Sequence, residues 1–468
     1  MRKCVDAWMG KCINALTHHL INSSTNMMEG GKVRNAVIAQ SGGPTSVINS
    51  SLKGAVDTLA SSGKVGKIYG ARMGILGVLR EELLDISAQD REQIELLSET
   101  PSAGVIGSCR YKIRSEEDLA RIVEVFKKHD IGYFFYCGGG DSMDTADKVN
   151  RLAKESGLDL ICIGIPKTID NDVGGTLQSD GTFAICDHDP GYGSVARNTA
   201  INVLEANEEN KASYTSDPVL VIGVMGRKIG FIPAAARLAD PERKMPLLII
   251  LPEALSKDDW QANLEFITEE VNKKLSEHGR CIVIIGEGAN LGDLGVLRDS
   301  FGHAQFSASE RTVEQVLINY LNGMDRKDSK GRAQSRLVVK GIARAERPGT
   351  RQRREIAYVS EVDRKEAYEV GAYAAKLALK GENGFMSTIL RVPGPRYEVR
   401  YDKVPLNVVA NSEREFPREW IAPSKVDVTD EFVNWAMPLI GGPLPKFASF
   451  KEIMAPKLCA EYMPAGYR

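Results

Sequence analysis

The sequence predicts an α/β protein made of two doubly wound, Rossmann-like parallel-sheet domains, with the active site in the cleft between them. Three observations carry this expectation. From about residue 34 onward, short apolar runs alternate with stretches of helical periodicity. Several of those runs end directly in glycine-rich or charged turns, and that end of a parallel sheet is where ligands bind. A second series of alternating elements begins near residue 219.

Ala36 to Gln40 reads as the first strand, Ser41-Gly42-Gly43-Pro44 as a turn and Ser46 to Leu59 as a helix. Ser115 with Asp118 resembles a capping box, and Leu119, Ile122, Val123 and Phe126 recur behind it at helical spacing. Gly132 to Cys137 is continuously apolar or aromatic, as a strand covered on both faces should be. It runs into Gly138-Gly139-Gly140-Asp141-Ser142 and a helix to about Glu155, closed by Gly157. Leu158 to Ile165 reads as the next strand. In the second series, Val219 to Val224 reads as a strand, Ile232 to Leu238 as a helix and Leu247 to Leu251 as a strand. A long helix over Asp258 to His278 and a strand over Cys281 to Ile285 follow. The charged stretch 326–336 reads as a solvated loop.

The 468 residues suffice for two or three domains, and 43% hydrophobic with 26% charged residues is ordinary globular composition. A net charge of −2 gives no bulk electrostatic argument for nucleic acid or a membrane as partner. No apolar run approaches the roughly 18 residues a bilayer span requires. The eight cysteines are scattered, without a C-x-x-C pair, which is the usage of a reduced, cytoplasmic protein. The first 30 or so residues lack the apolar core and cleavage site of a secretory signal and read as an extension.

The most informative stretch is Pro166-Lys167-Thr168-Ile169-Asp170-Asn171-Asp172, directly after an apolar strand. An ammonium, a hydroxyl and two carboxylates are costly to hold together at a strand end unless a ligand or metal compensates them. Here a carboxylate can take a proton from a substrate hydroxyl while a cation steadies a moving phosphoryl group. Helix capping would account for Asp172 but leaves Lys167 unexplained. The turns Ser41-Gly42-Gly43 and Gly138-Gly139-Gly140-Asp141-Ser142 can present backbone N–H groups to an anion. Singly, each is equally compatible with a tight connection; with Gly107-Ser108-Cys109-Arg110 they favour a polyphosphate site. Met225-Gly226-Arg227 follows one strand and Gly286-Glu287-Gly288 ends another. Arg344, Arg347, Arg351, Arg353 and Arg354 cluster, which alone reads as a solvated face. His188, between Asp187 and Asp189, reads as a loop hydrogen-bonder and not a metal ligand.

In this order the motifs resemble the phosphofructokinase family, specifically its pyrophosphate-dependent branch, from about Asn35 to the C-terminus. The resemblance rests on Gly42-Gly43, Arg110, the turn 138–142, the run 166–172, Met225-Gly226-Arg227 and the Gln352-Arg353 pair. It implies that Asp170 is the catalytic base toward a sugar 1-hydroxyl, with Lys167 and Thr168 beside it. Gly42, Gly43, Arg110, Gly139, Asp141, Ser142 and Lys167 would hold the phosphate donor. Thr168, Asp170, Asp172, Met225, Gly226, Arg227, Glu287, Arg344 and Arg353 would hold fructose 6-phosphate, one arginine coming from a neighbouring subunit of a homo-oligomer (dimer or tetramer). Mg2+ is the implied cofactor, held by Asp141, Asp170 and Asp172, since Gly140 stands where many relatives keep a metal-binding aspartate. ATP-using members generally carry glycine where this chain has Asp141 and Lys167, so pyrophosphate is the implied co-substrate.

The same resemblance divides the chain into an extension (1–32), a donor-binding α/β domain (33–190 with 357–410), a sugar-phosphate-binding α/β domain (191–356) and a C-terminal segment packing on both (411–468). Two further departures stand out: residues 177–186 look inserted, and Pro218 occupies a position where some relatives place a cross-subunit arginine. The expected activity is reversible, Mg2+-dependent phosphoryl transfer from pyrophosphate to fructose 6-phosphate. The alternatives are an ATP-dependent 6-phosphofructokinase, a non-catalytic regulatory sugar-phosphate-binding subunit, or the same chemistry on sedoheptulose 7-phosphate.

Overall fold

A computed structural model of the chain describes residues 33–298, 302, 304–410, 412–451, 453–458 and 462. The expected N-terminal extension, and Cys4, Cys12 and Cys459, lie outside the described residues. In chain order, the first half contains β1 (Arg34–Gln40), α1 (Ile48–Ser61), β2 (Val65–Ala71), β3 (Leu83–Asp85), α2 (Glu116–Lys128), β4 (Ile131–Gly138), α3 (Gly140–Glu155), β5 (Ile161–Pro166) and α4 (Tyr192–Ser213). There follow β6 (Val219–Val224), β7 (Leu247–Ile250), α5 (Trp260–His278), β8 (Cys281–Gly286), the short pair β9 (Leu297–Arg298) and β10 (Ala304–Gln305), β11 (Ala343–Glu346), α6 (Glu361–Leu379), β12 (Phe385–Arg391) and β13 (Val399–Pro405).

The strands form a seven-stranded sheet ordered β13-β12-β5-β4-β1-β2-β3 and a four-stranded sheet ordered β11-β6-β8-β7. In the first, β2, β1, β4, β5 and β12 run parallel, and β3 and β13 add antiparallel edges. The second is parallel throughout. In both sheets the central strands are apolar on two faces because helices cover both. Phe134, Phe135 and Tyr136 of β4 are fully buried, as are Ile282 to Ile285 of β8. The chain re-enters the first sheet after the second is complete, through α6 and β12. Helix α6 lies directly on α1, where Gly54 and Gly371 allow backbone contact. A Cβ at Gly54 would stand 1.9 Å from the Tyr368 carbonyl oxygen, and one at Gly371 would stand 2.1 Å from that of Ser51.

The expected elements differ from those observed at three points. The strand after Gly157 starts only at Ile161, because Gly157 is left-handed (φ 62°) and closes the preceding helix first. The expected helix over Ile232 to Leu238 is one α-helical turn (Phe231–Ala234) that tightens into a 3₁₀ segment (Ala235–Ala239). Helix α5 begins at Trp260, since the Asp259 carboxylate accepts from the Ala262 N–H and caps it.

The stretch 177–186 is a small hairpin-like excursion. Leu177 bridges Phe183 antiparallel, and the Gln178 N–H donates to the Thr182 carbonyl at 2.7 Å. Its tip is exposed, but Phe183 is buried at 3% exposure, with its ring edge-on to Trp420 (5.7 Å) and Trp435 (5.8 Å). These rings join Tyr192, Phe231, Phe416 and Phe432 in one core that packs the C-terminal segment against both halves of the chain. Burying a phenylalanine of this kind contributes about 1.5–3 kcal/mol, which anchors the excursion. Among the described residues, no helix is long and apolar enough to cross a membrane.

Candidate active site

The C-terminal ends of β1, β4 and β5 face those of β6 and β8 across a cleft. After β1, Gly42 is left-handed (φ 79°) and its N–H donates to the Cys109 carbonyl at 2.9 Å, while the Ser108 hydroxyl donates to the Gly42 carbonyl at 2.7 Å. The Lys167 ammonium, 5% exposed, donates to the Gly43 carbonyl at 2.8 Å. A Cβ on Gly43 would lie 2.7 Å from Nη1 of Arg353 and 3.4 Å from Nη2 of Arg110, so two guanidinium groups converge over this glycine. Convergent like charges are repulsive unless an anion lies between them. After β4, Gly139 precedes the first turn of α3, whose N-terminal residues Gly140, Asp141 and Ser142 line the same cavity as Lys167. The buried Ser142 side chain folds back so closely over Gly138 that no Cβ fits there.

The run after β5 forms a tight turn. The Asp170 N–H donates to the Thr168 hydroxyl at 3.1 Å. Asn171 takes the left-handed conformation (φ 58°), and its side-chain oxygen accepts from the Asp189 N–H at 2.9 Å. The Asp189 carboxylate in turn accepts from the Val173 N–H at 2.9 Å. This bracing keeps Asp170 and Asp172 both in the cleft, each 8% exposed. Arg227, itself left-handed (φ 52°), reaches over from the other sheet: its Nε stands 3.3 Å from Asp170 and its Nη1 3.5 Å from Asp172. Two side chains hold the Arg227 loop in place. The Arg227 N–H donates to Glu287 at 3.1 Å, and the Met225 N–H donates to the buried Gln352 amide oxygen at 2.9 Å.

Two adjoining cavities share Gly43, Arg110, Lys167, Thr168 and Arg227. One continues past Gly42, Gly139, Asp141, Ser142 and Asp172 on the first sheet. The other continues past Asp170, Met225, Glu287 and Arg353 toward the second sheet. Gly226 (φ 125°) makes the turn between Met225 and Arg227. All but one of the expected site residues therefore meet in one cleft. The exception is Arg344, which stands on edge strand β11, largely exposed and paired with Asp217 at 3.0 Å, away from this cleft.

Sequence reasoning missed two segments that contribute to the site. Ala304, Gln305 and Phe306, from the β9–β10 excursion, wall the second cavity; two-residue strands carry no periodicity to read. Ser412 and Glu413 of the C-terminal segment line the first cavity, and Arg414 behind them is almost completely buried. His188 is, as expected, a hydrogen-bonder. Its ring nitrogens lie 2.9 Å from Asp187 and 2.7 Å from Glu366 in a buried network that also takes in Arg391 and Trp435.

Burial sets the electrostatics. It pulls the Lys167 ammonium down to about 8, with Cys137 and Asp172 opposing. It pushes the Asp170 carboxyl up despite Arg227, and Glu287 up to about 7 despite the backbone N–H of Arg227. Burial, and then Arg110, weaken the hold of Arg353 on its proton. A carboxylate with raised proton affinity, flanked by cations, suits proton abstraction from a hydroxyl coupled to movement of a phosphoryl group. Among the described residues, no group of three His, Cys, Asp or Glu side chains forms a ready cation cage. Asp170 and Asp172 nevertheless fit Mg2+, which typically takes only one or two carboxylates together with substrate phosphates. Asp141 is engaged by Lys112 at 3.4 Å on the far wall of the donor-side cavity.

The phosphofructokinase family profile matches residues 35–353. A pyrophosphate–fructose 6-phosphate 1-phosphotransferase of Methylococcus capsulatus is 36% identical over 447 residues, 91% of this chain and 98% of that protein. One from Halomonas elongata is 38% identical over 420 residues, covering 87% and 92%. The crystal structure of a pyrophosphate-dependent phosphofructokinase from Nitrosospira multiformis superposes with a TM-score of 0.73 at 33% identity, covering 92% of this chain and all of that one. With a family profile spanning most of the chain, and relatives alike over nearly their whole length, this chain belongs to the phosphofructokinase family.

Proposed function

We propose that this chain transfers a phosphoryl group reversibly from pyrophosphate to the 1-hydroxyl of fructose 6-phosphate, giving fructose 1,6-bisphosphate and phosphate, with Mg2+ bound. The observation that carries the reading is the donor cradle. Lys167 is buried against the Gly43 carbonyl on one side. Asp141 stands in the first turn of α3 on the other. A buried ammonium compensates the charge of a compact diphosphate, whereas a carboxylate at the cradle's mouth repels and obstructs the α-phosphate of a nucleotide. The names of relatives that match 91% and 87% of this chain support the same donor.

Asp170 accepts the proton of the 1-hydroxyl as that oxygen attacks the nearer phosphorus, and the remaining phosphate leaves toward Gly42, Gly43 and Lys167. Lys167 neutralises charge on the transferring group from a position that costs no reorganisation at the moment of reaction, and Arg227, with Met225 and Gly226, contacts fructose 6-phosphate. Arg110 and Arg353 grip phosphate oxygens through paired N–H donors, and Glu287 holds a sugar hydroxyl. Asp170 and Asp172 would hold Mg2+, with Asp141 as the further carboxylate on the donor side; the ion supplies charge neutralisation on the phosphate oxygens. In this reading residues 33–190 with 357–410 bind the donor and 191–356 the sugar phosphate. The protein works in the cytoplasm as a homo-oligomer. Arg344, exposed on the outer edge strand β11, serves the site of a neighbouring subunit.

A donor panel tests the reading: pyrophosphate, ATP and ADP against fructose 6-phosphate and sedoheptulose 7-phosphate, with Mg2+. Bisphosphate formation from pyrophosphate, and phosphate-dependent reversal, are expected. Turnover with ATP alone would overturn the donor assignment.

A further inference from the structure

The family profile ends at residue 353, yet one side chain well beyond it holds the catalytic turn. Arg414 is 2% exposed. Its backbone N–H donates to the Asp172 carbonyl at 2.8 Å. Its Nη2 donates to the Val173 carbonyl at 2.6 Å, and its Nη1 to the Asp187 carbonyl at 2.8 Å. The same Nη2 lies 3.8 Å from the Asp189 carboxylate, which accepts the Val173 N–H. The guanidinium also lies 4.4 Å from the centre of the Phe183 ring, on the excursion 177–186. Gly174 is shaped to this contact, for a Cβ there would come within 2.6 Å of Nη2.

We propose that Arg414 is a positioning residue for phosphoryl transfer: from the C-terminal segment it ties the backbone of Asp172, Val173 and Asp187 together and so fixes where Asp170 and Asp172 stand in the cleft. The inference rests on the reading of Asp170 as the base. The planar fork reaches two carbonyls, those of Val173 and Asp187, 14 residues apart in sequence, which a lysine ammonium cannot do with the same geometry. Because the neighbouring Ser412 and Glu413 line the donor-side cavity, the segment carrying Arg414 is also part of the wall of the site. A displacement of the base by about 1 Å is enough to lose roughly 100-fold in rate, so a backbone tie can act on turnover without touching substrate.

The test is Arg414→Lys in the full chain, read by steady-state kinetics and by amide hydrogen exchange. The expected result is a fall in kcat of about 10-fold or more, with KM for both substrates within about threefold. Exchange in peptides covering 168–174 rises, while β1 and β4 keep wild-type protection. In Arg414→Ala, added guanidinium is expected to restore part of the lost kcat where the same concentration of NaCl does not. Unchanged exchange at 168–174, exchange that rises equally throughout the chain, or a kcat loss that merely tracks the folded fraction would each overturn the proposal. Should these variants not fold, Phe183→Leu, which removes the ring 4.4 Å from the guanidinium without altering the backbone of the turn, is expected to give the same local exchange signature. Wild-type protein without turnover would sink the proposed reaction, and the exchange measurement would still decide whether Arg414 fixes the turn.

Discussion

Gly43→Ala isolates the anion-binding role of Arg353 from the stability of the fold. The new Cβ would lie 2.7 Å from Arg353 Nη1, so that nitrogen must retreat by about 0.7 Å to reach even a close contact. Nothing in the backbone resists, because Gly43 is not among the left-handed glycines, and the atom that moves is the far end of a flexible side chain. Stability should therefore change by less than about 1 kcal/mol, since alanine also restricts the unfolded chain. Binding should not be spared. A hydrogen bond to a charged group contributes about 1.5–3 kcal/mol, so losing the Arg353 grip lowers kcat/KM for fructose 6-phosphate by about 10- to 150-fold. Arg353 lines only the sugar-side cavity but Gly43 lines both, so KM for pyrophosphate reports separately what the new methyl does on the donor side. The assay is initial-rate kinetics with each substrate varied in turn, alongside thermal unfolding. Gly42→Ala is the contrasting variant: φ is 79°, a conformation costing a residue with a Cβ about 1–2 kcal/mol, so it should lose stability. A Gly43→Ala enzyme whose KM for fructose 6-phosphate stays within twofold of wild type would refute the assignment of Arg353.

Three further outcomes follow from the cleft. Asp170→Asn should lower kcat by about 100-fold or more without lowering the melting temperature, because burial already disfavours the charged carboxylate it removes; rate and unfolding measurements on one preparation check both halves. Asp141→Gly removes the carboxylate from the cradle's mouth, and direct titration should show ATP binding at least about 10-fold tighter; unchanged ATP rejection would count against the steric and electrostatic reading. Burial pulls Lys167 down to about 8, so its charge is complete well below that pH and is lost as pH rises through it. The kcat/KM for pyrophosphate should accordingly fall above about pH 8, and a profile flat to pH 10 would remove Lys167 from donor binding.

Most of the cleft was legible because it is written on strand ends. The apolar runs of β1, β4, β5, β6 and β8 each stop at a chemically distinctive turn, and that is where Gly43, Asp141, Asp170, Arg227 and Glu287 stand. Helix α4 escaped notice for a physical reason. It is buried around much of its circumference, including Ser194, Asn198, Thr199, Asn207 and Asn210, so it has no apolar stripe facing a polar one. Strand β2 is half-exposed and carries lysine, which blurs its pattern. The excursion 177–186 looked like an unexplained insertion because the partners of Phe183, Trp420 and Trp435, lie more than 200 residues away in sequence. Arg414 has the same difficulty: nothing local distinguishes it from a surface arginine, and its role exists only after the chain returns to the first sheet.

Arg227 also couples the two sheets through charge. It lies 3.3 Å from Asp170 and 3.5 Å from Asp172, and its positive charge offsets part of the proton affinity that burial gives Asp170. The cation stands on the loop after β6 and the two carboxylates on the turn after β5, so a shift of one sheet against the other changes their separation. The basicity of Asp170 is therefore coupled to how closely the two sheets approach across the cleft.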